Sequence, residues 1–240
     1  MLSFSLHNLK LFKGNLNLDL NKKLLITTLN AHSYNLAQQH SAFCKALKNS
    51  DVLLPDGISI VLAKRFLDGT KLKKIAGADL FAYEMKRLNK EQGSCLFLGS
   101  SEQTLKLIKN KASNDFPNVN VKTYSPPFKT IFSAEENALM ISTVNEFKPD
   151  VLFIGMTAPK QELWAYEHLE QLNTKHICCI GAVFDFYAGT IKRAPNWMIS
   201  LGIEWLYRLI SEPKRLWKRY LIGNTKFIYL ILKEKYRSLV

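Results

Sequence analysis

Asp56 is an acidic residue placed where it could do chemistry on a bound ligand. It stands in Leu-Leu-Pro-Asp-Gly (53–57), directly after an apolar run that is typical of a buried strand. A carboxylate at the end of such a strand can remove a proton from a substrate hydroxyl as a general base. The same Pro-Asp-Gly sequence also favours a plain turn that needs no catalysis. On this motif alone, both interpretations stay open.

Thr28 and Asn30 follow another apolar run, in the sequence Thr-Thr-Leu-Asn-Ala-His-Ser (27–33). Their hydroxyl and amide groups could form hydrogen bonds to a sugar or a ribose. Asn30 is also suited to cap the first turn of a helix, because asparagine is one of the preferred residues at that position. The sequence therefore predicts either a ligand contact or a helix cap here.

A phosphate site is indicated where an apolar run ends in Gly99, Ser100 and Ser101, before a predicted helix. The free N–H groups and the positive dipole at the start of a helix favour an anion. The segment has neither the dinucleotide-binding glycine pattern nor the P-loop pattern. A helix cap at Ser100 or Ser101 would explain the two serines equally well.

Two further polar residues follow predicted strands. Gln161 lies at the start of a predicted helix and could offer a donor and an acceptor to a base or a sugar. Lys160 beside it opposes the helix dipole, which favours a ligand-facing role over a solvated helix end. Asp185 stands between two phenylalanines and could be a catalytic acid or the buried partner of Arg193. No Asp-x-Asp pair occurs in the chain, so we predict no metal site and no cofactor.

Six apolar runs predict the strands that must position these residues. They cover 24–28, 51–54, 94–99, 120–124, 150–155 and 176–181. Helices are predicted near 33–48, 57–67, 78–91, 101–113, 134–147, 159–172, 197–211 and 214–236. Strands that alternate with helices are typical of an α/β, Rossmann-like fold with a largely parallel sheet flanked by helices. Because ligands bind outside the carboxyl ends of such strands, we expect the polar turns to rim one pocket.

The C-terminal part of the chain is basic and aromatic. Residues 192–240 contain eleven Lys or Arg and three Glu, a net charge of +8 out of +13 for the whole chain. Trp197, Trp205 and Trp217 lie among these cations. Such a composition suits an anionic membrane surface or a lipid-linked phosphate. We therefore predict an α/β catalytic domain at 1–195 and a basic, aromatic helical appendage at 196–240.

The cellular location is predicted from the apolar runs and the cysteines. The longest apolar run of the tail, 227–232, is too short to span a bilayer, and the first residues do not resemble a signal peptide. The four cysteines lack zinc-site spacing and are read as free thiols in a reducing compartment. We expect a cytoplasmic protein, peripheral on the inner face of the cell membrane.

Taken together and in order, these motifs resemble the WecG/TagA/CpsF family of bacterial glycosyltransferases. The segments that carry the resemblance are TLNAHS (28–33), LLPDGISIV (53–61), KIAGADLF (74–81), LFLGSS (96–101), PDVLFIGMTAPKQELW (149–164), GAVFDFYAGTIKRAPNW (181–197) and GIEWLYRLISEPKRLWKRY (202–220). The resemblance extends from about Leu24 to Tyr220, which is most of the chain.

The resemblance implies an inverting, metal-independent transfer from a UDP-sugar to a polyprenyl-pyrophosphate-linked sugar, in the synthesis of a cell-surface polysaccharide. The sugar would be of the N-acetylmannosamine type or a hexose. Asp56 would be the general base, and Thr28, Asn30 and Gln161 would bind substrate. The candidate ligands of the lipid pyrophosphate would be Arg208, Arg215, Lys218 and Arg219.

Lys74 marks a departure from the family pattern, because the family usually has an arginine at this position. Lysine keeps the positive charge but loses the planar, bidentate fork of a guanidinium. With no metal, the leaving diphosphate needs cations and N–H donors. Lys74, the Gly99–Ser101 turn and the arginines of the tail would supply them.

Other classes of function remain as alternatives. A non-enzymatic nucleic-acid-binding protein could use the basic tail, but the charge is concentrated at one end and no nucleic-acid module is recognised. A nicotinamide-dependent oxidoreductase lacks its glycine fingerprint here. The tail could also be a packed helical pair or the interface of a homo-oligomer. We predict small-molecule and lipid-linked partners and no nucleic acid.

Overall fold

A computed structural model of the protein describes residues 4–237, and these residues form one six-stranded sheet. The strands are β1 (Leu24–Leu29), β2 (Val52–Pro55), β3 (Ser94–Gly99), β4 (Asn120–Tyr124), β5 (Val151–Gly155) and β6 (His176–Cys179). Their order is β2-β1-β6-β5-β3-β4, and every neighbouring pair is parallel. The predicted α/β, Rossmann-like class is confirmed, and all six predicted strands are present.

Helices cover both faces of the sheet, because side chains on the inner strands alternate between two buried clusters. Ile26 and Phe153 belong to one cluster, and Leu25 and Leu152 belong to the other. The helices are α1 (Ala31–Ala37), α2 (Ser41–Lys48), α3 (Ile58–Asp68), α4 (Gly77–Glu91), α5 (Glu102–Asp115), α6 (Ala134–Phe147), α7 (Lys160–Glu167), α8 (Val183–Ala188), α9 (Asn196–Ser200), α10 (Glu204–Ser211), α11 (Pro213–Trp217) and α12 (Gly223–Arg237).

Several predicted helices are interrupted. The helix predicted at 33–48 is two helices, because His40 has an extended backbone between them. The one predicted at 197–211 breaks at Gly202, whose φ of 73° lies in the left-handed region. The one predicted at 159–172 ends at Glu167 and is followed by a short 3₁₀ turn. The last one contains a π-helical turn at Lys218–Ile222.

Helix α8 was not predicted, because six residues are too few to show a helical period. Tertiary packing stabilises it: Phe184 of α8 is buried in the core and lies directly against Gly155 at the end of β5. A Cβ atom on Gly155 would stand 2.4 Å from the Phe184 ring, so this close approach requires glycine. The result is that Asp185 lies on a helix rather than in a loop.

The amino edge of the sheet is closed by charged groups that pair with one another. Glu84 and His176 are fully buried, and the His176 Nδ1 lies 2.8 Å from the Glu84 Oε1. The Arg87 guanidinium donates to the other Glu84 oxygen. Asp150 accepts from the Ser94 main-chain N–H and from Lys175. These charges have partners within the protein, which fits a structural role for this edge.

The C-terminal helix α12 folds back onto the N-terminal part of the chain. Phe227 and Ile231 are buried in the same cluster as Phe4 and Tyr34. The Glu234 carboxylate accepts hydrogen bonds from the Tyr34 hydroxyl and from residues 5–7. In the described part of the chain, no helix is both long enough and apolar enough to cross a bilayer.

Candidate functional site

The candidate site lies along the carboxyl edge of the sheet. Because all six strands are parallel, the turns after β1, β2, β3, β5 and β6 meet at this edge. These turns, and the helix starts that follow them, carry Asn30, Asp56, Ser100 and Gln161, whereas Lys74, Arg193 and the tail cations lie elsewhere in the chain. Along the edge, β1 and β3 are three strand positions apart, or roughly 14 Å at the usual strand spacing.

Asp56 and Asn30 are brought together by the pairing of β1 and β2. Thr28 pairs in register with Leu54, and the Asp56 main-chain N–H donates to the Leu29 oxygen. The Asn30 Nδ2 then lies 3.4 Å from the Asp56 Oδ2. The Asn30 Oδ1 also accepts from the Ser33 N–H, as a helix cap. The predicted helix cap at Asn30 is therefore confirmed, whereas its contact with a ligand stays a prediction.

The Asp56 carboxyl has a raised pKa, chiefly because burial disfavours its charged form. The neighbouring carboxylate of Glu204 raises this pKa further, whereas the hydrogen bond from Asn30 lowers it. The positive charges of Arg219 and Lys74 also lower it. The balance is a carboxylate with more affinity for a proton than an exposed aspartate has.

Three arginines of the tail form a cluster of like charges. Burial lowers the pKa of Arg219, and the charges of Arg208 and Arg215 lower it further. The Nε atoms of Arg208 and Arg219 are buried and have no hydrogen-bond partner. The Arg215 guanidinium pairs with Glu212 at 2.7 Å. Arg208 and Arg219 are half-buried, and guanidinium groups with unused donors are suited to bind an anion with two or more oxygens.

Lys218 differs from these arginines. It is exposed, and its Nζ lies 5.5 Å from the centroid of the Trp217 ring. Such a cation is open to solvent or to an anionic surface outside the protein.

Lys74 and Arg193 connect the body to the tail helices. The Lys74 Nζ donates to the Ile199 main-chain oxygen in α9, at 3.3 Å. It also borders a cleft of about 550 Å³ between α9 and the start of α4, although Asp56 does not line that cleft. The Arg193 Nε lies 3.4 Å from the Glu204 Oε1 in α10. Glu204 was not predicted from the sequence as a site residue. The feature that could have indicated it is its position four residues before Arg208 on the same helix.

Asp185 is not the partner of Arg193. Its Oδ1 lies 3.5 Å from the Thr190 hydroxyl, and Thr190 also donates to the Asp185 main-chain oxygen. Burial raises the pKa of Asp185, and the positive charges of Arg215 and Arg208 oppose that shift. Asp185 therefore belongs to the electrostatic surroundings of the arginine cluster.

The turn after β3 leaves Gly99 and Ser100 free of a capping role. Ser101 caps α5, because its Oγ accepts from the Thr104 N–H. Ser100 has a φ of 60°, and its main-chain oxygen accepts from the Ser125 hydroxyl. Gly99 has a φ of 120°, and a Cβ atom there would stand 2.5 Å from the Gly155 oxygen. The backbone of this turn thus needs glycine.

Gln161 is buried and bonded within the protein. Its Oε1 accepts from the Met156 N–H, and its Nε2 donates to the Glu162 carboxylate at 2.8 Å. One N–H and one lone pair of the amide remain unused, and Gly181 lies beside them. Glu162, which the sequence did not single out, is 1% exposed, and burial raises its pKa to about 7.

The structure therefore groups the predicted residues into two regions. One contains Asp56 with Asn30, Lys74 and Arg219, and Arg219 links it to Arg208 and Arg215. The other contains Gly99, Ser100 and Gln161, farther along the edge at β3 and β5. Within residues 4–237, no group of three or more His, Cys, Asp or Glu side chains is arranged to hold a metal ion.

Comparison with known proteins gives one consistent result. The profile described as "Glycosyl transferase WecG/TagA/CpsF family" matches residues 10–239. The chain is 29% identical over 211 residues to the N-acetylglucosaminyldiphosphoundecaprenol N-acetyl-β-D-mannosaminyltransferase of Bacillus subtilis strain 168, covering 88% of this chain and 80% of that protein. It is 28% identical over 232 residues to the enzyme of the same name from Staphylococcus aureus strain MRSA252, covering 95% and 86%.

Proposed function

The chain belongs to the WecG/TagA/CpsF family of glycosyltransferases, and on that premise we propose that it transfers a sugar from a UDP-sugar to a polyprenyl-pyrophosphate-linked sugar. The observation that carries the proposal is the half-buried Asp56 carboxylate near Arg219, whose Nε has no hydrogen-bond partner and which is grouped with Arg208 and Arg215. A base and an anion site at one edge are what this reaction requires, because a hydroxyl must lose a proton next to phosphate groups.

The proposed reaction inverts the anomeric carbon. Asp56 accepts the proton of the acceptor hydroxyl, and that oxygen forms the new bond to the anomeric carbon. The bond from this carbon to the diphosphate oxygen breaks on the opposite face, and its electron pair leaves with UDP. The raised pKa of Asp56 supports this role, because a stronger base takes the proton more readily.

Cations and N–H donors of the protein would neutralise the phosphates without a metal ion. Arg208, Arg215 and Arg219 are proposed to bind the pyrophosphate of the lipid-linked acceptor, because their mutual repulsion is relieved by an anion. Lys74 and the Gly99–Ser101 turn are proposed for the diphosphate of the donor. Arg193 pairs with Glu204 at 3.4 Å and is proposed to keep the tail near Asp56 through this pair.

The names of the relatives favour one sugar and one acceptor. Both describe transfer of an N-acetyl-β-D-mannosaminyl group to N-acetylglucosaminyldiphosphoundecaprenol. We extend this substrate class to the present chain, with N-acetylmannosamine preferred over a hexose as the transferred sugar. The product would then be a lipid-linked disaccharide for a cell-surface polymer.

A location on the inner face of the cell membrane is part of the proposal. The lipid-linked acceptor is held in a bilayer, and the tail presents exposed apolar and basic side chains. Trp197 is 60% exposed, Leu201 67% and Trp217 42%; Lys214 and Lys218 are also exposed, and the Lys218 Nζ lies 5.5 Å from the Trp217 ring centroid. Interfacial tryptophans among cations favour binding to an anionic lipid surface.

The test is a transfer assay with a panel of UDP-sugars and a synthetic polyprenyl-pyrophosphate-linked N-acetylglucosamine, in the presence of EDTA. Asp56→Asn should keep the shape of the side chain but lose the base, lowering kcat about 10²- to 10⁴-fold. Binding of UDP, measured by calorimetry, should stay close to that of wild type. Wild-type kcat/KM should fall as the pH drops through the raised pKa of Asp56.

Asp115→Asn is the matched control, because this exposed aspartate only accepts from the Tyr187 hydroxyl and an amide oxygen can do the same. It should retain wild-type activity. Full activity of a folded Asp56→Asn variant would contradict the assigned base. A wild-type protein that neither binds UDP nor forms product from any donor would contradict the transferase itself.

A further inference from the structure

We propose that Asn35, on helix α1, is a positioning residue that holds Arg219 of the tail beside the Asp56 carboxyl. The consequence for the reaction rests on the proposed function, whereas the contacts that carry the inference belong to the protein alone. Asn35 is assigned no contact with either substrate. It acts on the reaction through the placement of Arg219.

Helix α1 begins beside the candidate base. Asn30 caps this helix, and its Nδ2 lies 3.4 Å from the Asp56 Oδ2. His32 lies in the first turn of α1, where burial and the positive charge of Arg219 lower the pKa of His32 to about 4. The charge of Arg219 also acts on Asp56. The first turn of α1 is therefore close both to the base and to the cation that the tail brings to it.

The second half of α1 binds the tail. The Asn35 Nδ2 donates to the Gly223 main-chain oxygen at 2.7 Å. The Tyr34 hydroxyl donates to the Glu234 carboxylate at 2.7 Å, and the Tyr34 ring packs edge-on against Phe227. A single seven-residue helix thus contacts the base at its start and the tail in its second half. Because hydrogen bonds between successive turns make a packed helix stiff, α1 fixes the tail relative to the base.

Gly223 ends the irregular turn that carries Arg219. Lys218–Ile222 form the π-helical turn, and the Gly223 N–H donates back to the Lys218 oxygen. Such turns are rare and occur frequently at functional sites. The other anchors of α12 named above, Phe227 and Glu234, lie farther from Arg219 along the chain. The bond from Asn35 therefore holds the tail directly after the turn whose placement matters for the base.

The surroundings of Asn35 do not favour an asparagine for packing alone. Its side chain is 7% exposed, and its Oδ1 is buried without a hydrogen-bond partner. A buried polar atom without a partner is destabilising, and a leucine of similar shape would avoid this cost. The bond that the Nδ2 donates to the tail is therefore what explains an asparagine at this position.

The experiment is an NMR titration of the His32 ring and the Asp56 carboxyl in the full chain, for wild type and Asn35→Leu. When Arg219 moves away, both groups lose a neighbouring positive charge, so the pKa of His32 and the pKa of Asp56 should both rise. Asn35→Ala, which removes the donor without adding apolar volume, should shift both pKa values in the same directions. In the transfer assay, kcat should fall about 10- to 100-fold, as expected for a misplaced group at the site.

Arg219→Gln is the reference for these shifts. It removes the charge itself, so it should also raise the pKa of His32 and of Asp56. Adding Asn35→Leu to Arg219→Gln should shift the two pKa values little further, because both changes act through the same guanidinium group.

The directions of the two shifts separate this role from a loss of packing. Loosened packing would expose both groups to water, which raises the pKa of His32 but lowers the pKa of Asp56. Glu204 and Lys74 also act on Asp56, but the partners that hold them lie outside α1, so Asn35→Leu should leave them in place.

Asn145→Leu is the matched control, because the Asn145 amide also donates to a main-chain oxygen, that of Gln171, at the end of α6. It should leave kcat and the pKa values of His32 and Asp56 as in wild type. Unchanged pKa values in Asn35→Leu, or a rise for His32 with a fall for Asp56, would overturn the inference and leave the transferase proposal intact. The titration needs no substrate, so a protein that transfers no sugar would contradict the proposed function without deciding the placement of Arg219.

Discussion

The side chain of Glu162 combines deep burial with an incomplete set of hydrogen bonds. Its Oε1 accepts from Gln161, whereas its Oε2 is buried without a partner. Removal from water disfavours the charged form and raises the pKa of Glu162 to about 7. Since Gln161 is a candidate ligand of the substrate, the protonation of Glu162 is directly coupled to the amide that would contact it.

Glu162 should make the folded state less stable as the pH rises. Its pKa is about 7 in the folded protein and 4.5 ordinarily, so between these values the folded state binds more protons than the unfolded state. The stability that Glu162 contributes is fully present below pH 4.5 and is lost as the pH rises through 7. Glu162→Gln removes this dependence, since an amide does not titrate.

Urea unfolding of wild type and Glu162→Gln at several pH values tests this. The free energy of unfolding of the variant, relative to wild type, should rise by on the order of 3 kcal/mol between pH 4.5 and pH 8. A difference that stays constant over this range would contradict the assignment of the proton to Glu162.

At the scale of elements, the turn from β3 to α5 depends on one glycine. Gly99 has a φ of 120°, and its Cα faces the Gly155 oxygen of the neighbouring strand. Gly189, after α8, also has a positive φ, of 79°, but nothing lies within 4 Å of its Cβ position. An alanine at Gly189 would therefore cost only the backbone strain of a positive φ. An alanine at Gly99 would cost this strain and a steric clash as well.

Gly99→Ala should destabilise the protein more than Gly189→Ala. The control variant carries only the strain of a left-handed residue, about 1–2 kcal/mol. Gly99→Ala must also move β5, which should cost at least about 2 kcal/mol more and disturb the Ser125 hydrogen bond to the neighbouring Ser100 oxygen. Urea unfolding measures both variants, and equal losses would show that the turn adapts without moving β5.

Local patterns predicted the strands better than they predicted the helix ends. An apolar run such as 151–154 is buried on both faces and reads as a strand wherever it occurs. The short helix α8 depends on packing between distant residues, namely Phe184 against Gly155. The hydrophobic periodicity of a short segment cannot predict contacts with residues that lie far away in the chain.

At the scale of the whole molecule, the tail (196–240) contributes exposed side chains to the protein surface and buried side chains to the core. Helix α12 buries Phe227 and Ile231, and Glu234 accepts from Tyr34 and from residues 5–7. The predicted boundary at residue 195 stays a prediction, and removing 196–240 would uncover this core. Variants of exposed residues are therefore the better test of a membrane role.

Lys214→Glu combined with Lys218→Glu should weaken binding to vesicles that contain phosphatidylglycerol. Both lysines are exposed and close to Trp217, and each cation near an anionic surface contributes about 1 kcal/mol. Cosedimentation should fall at least about tenfold, and the wild-type signal should decrease as salt is added.

The matched control is Lys106→Glu combined with Lys109→Glu, two exposed lysines of α5 with the same change in net charge. It should bind vesicles nearly as well as wild type. Equal losses for the two pairs would show that net charge, rather than the tail surface, governs binding.

The parallel α/β sheet and the turns at its carboxyl edge could be predicted from the amino-acid sequence alone. This was possible because apolar periodicity and turn residues act locally, and parallel strands bring their ends to one side. It also pointed to Asp56, whose strand and turn are both local features.

Which charged groups act on one another depends on the three-dimensional fold and could not be predicted from the sequence. Glu204 and Arg219 lie far along the chain from Asp56, yet their charges shift its pKa because the tail folds back over the edge. The same folding leaves the Nε atoms of Arg208 and Arg219 buried without hydrogen-bond partners. Burial and electrostatic interaction depend on the distance between groups in space. For residues so far apart in the chain, this distance cannot be predicted from their separation in the sequence.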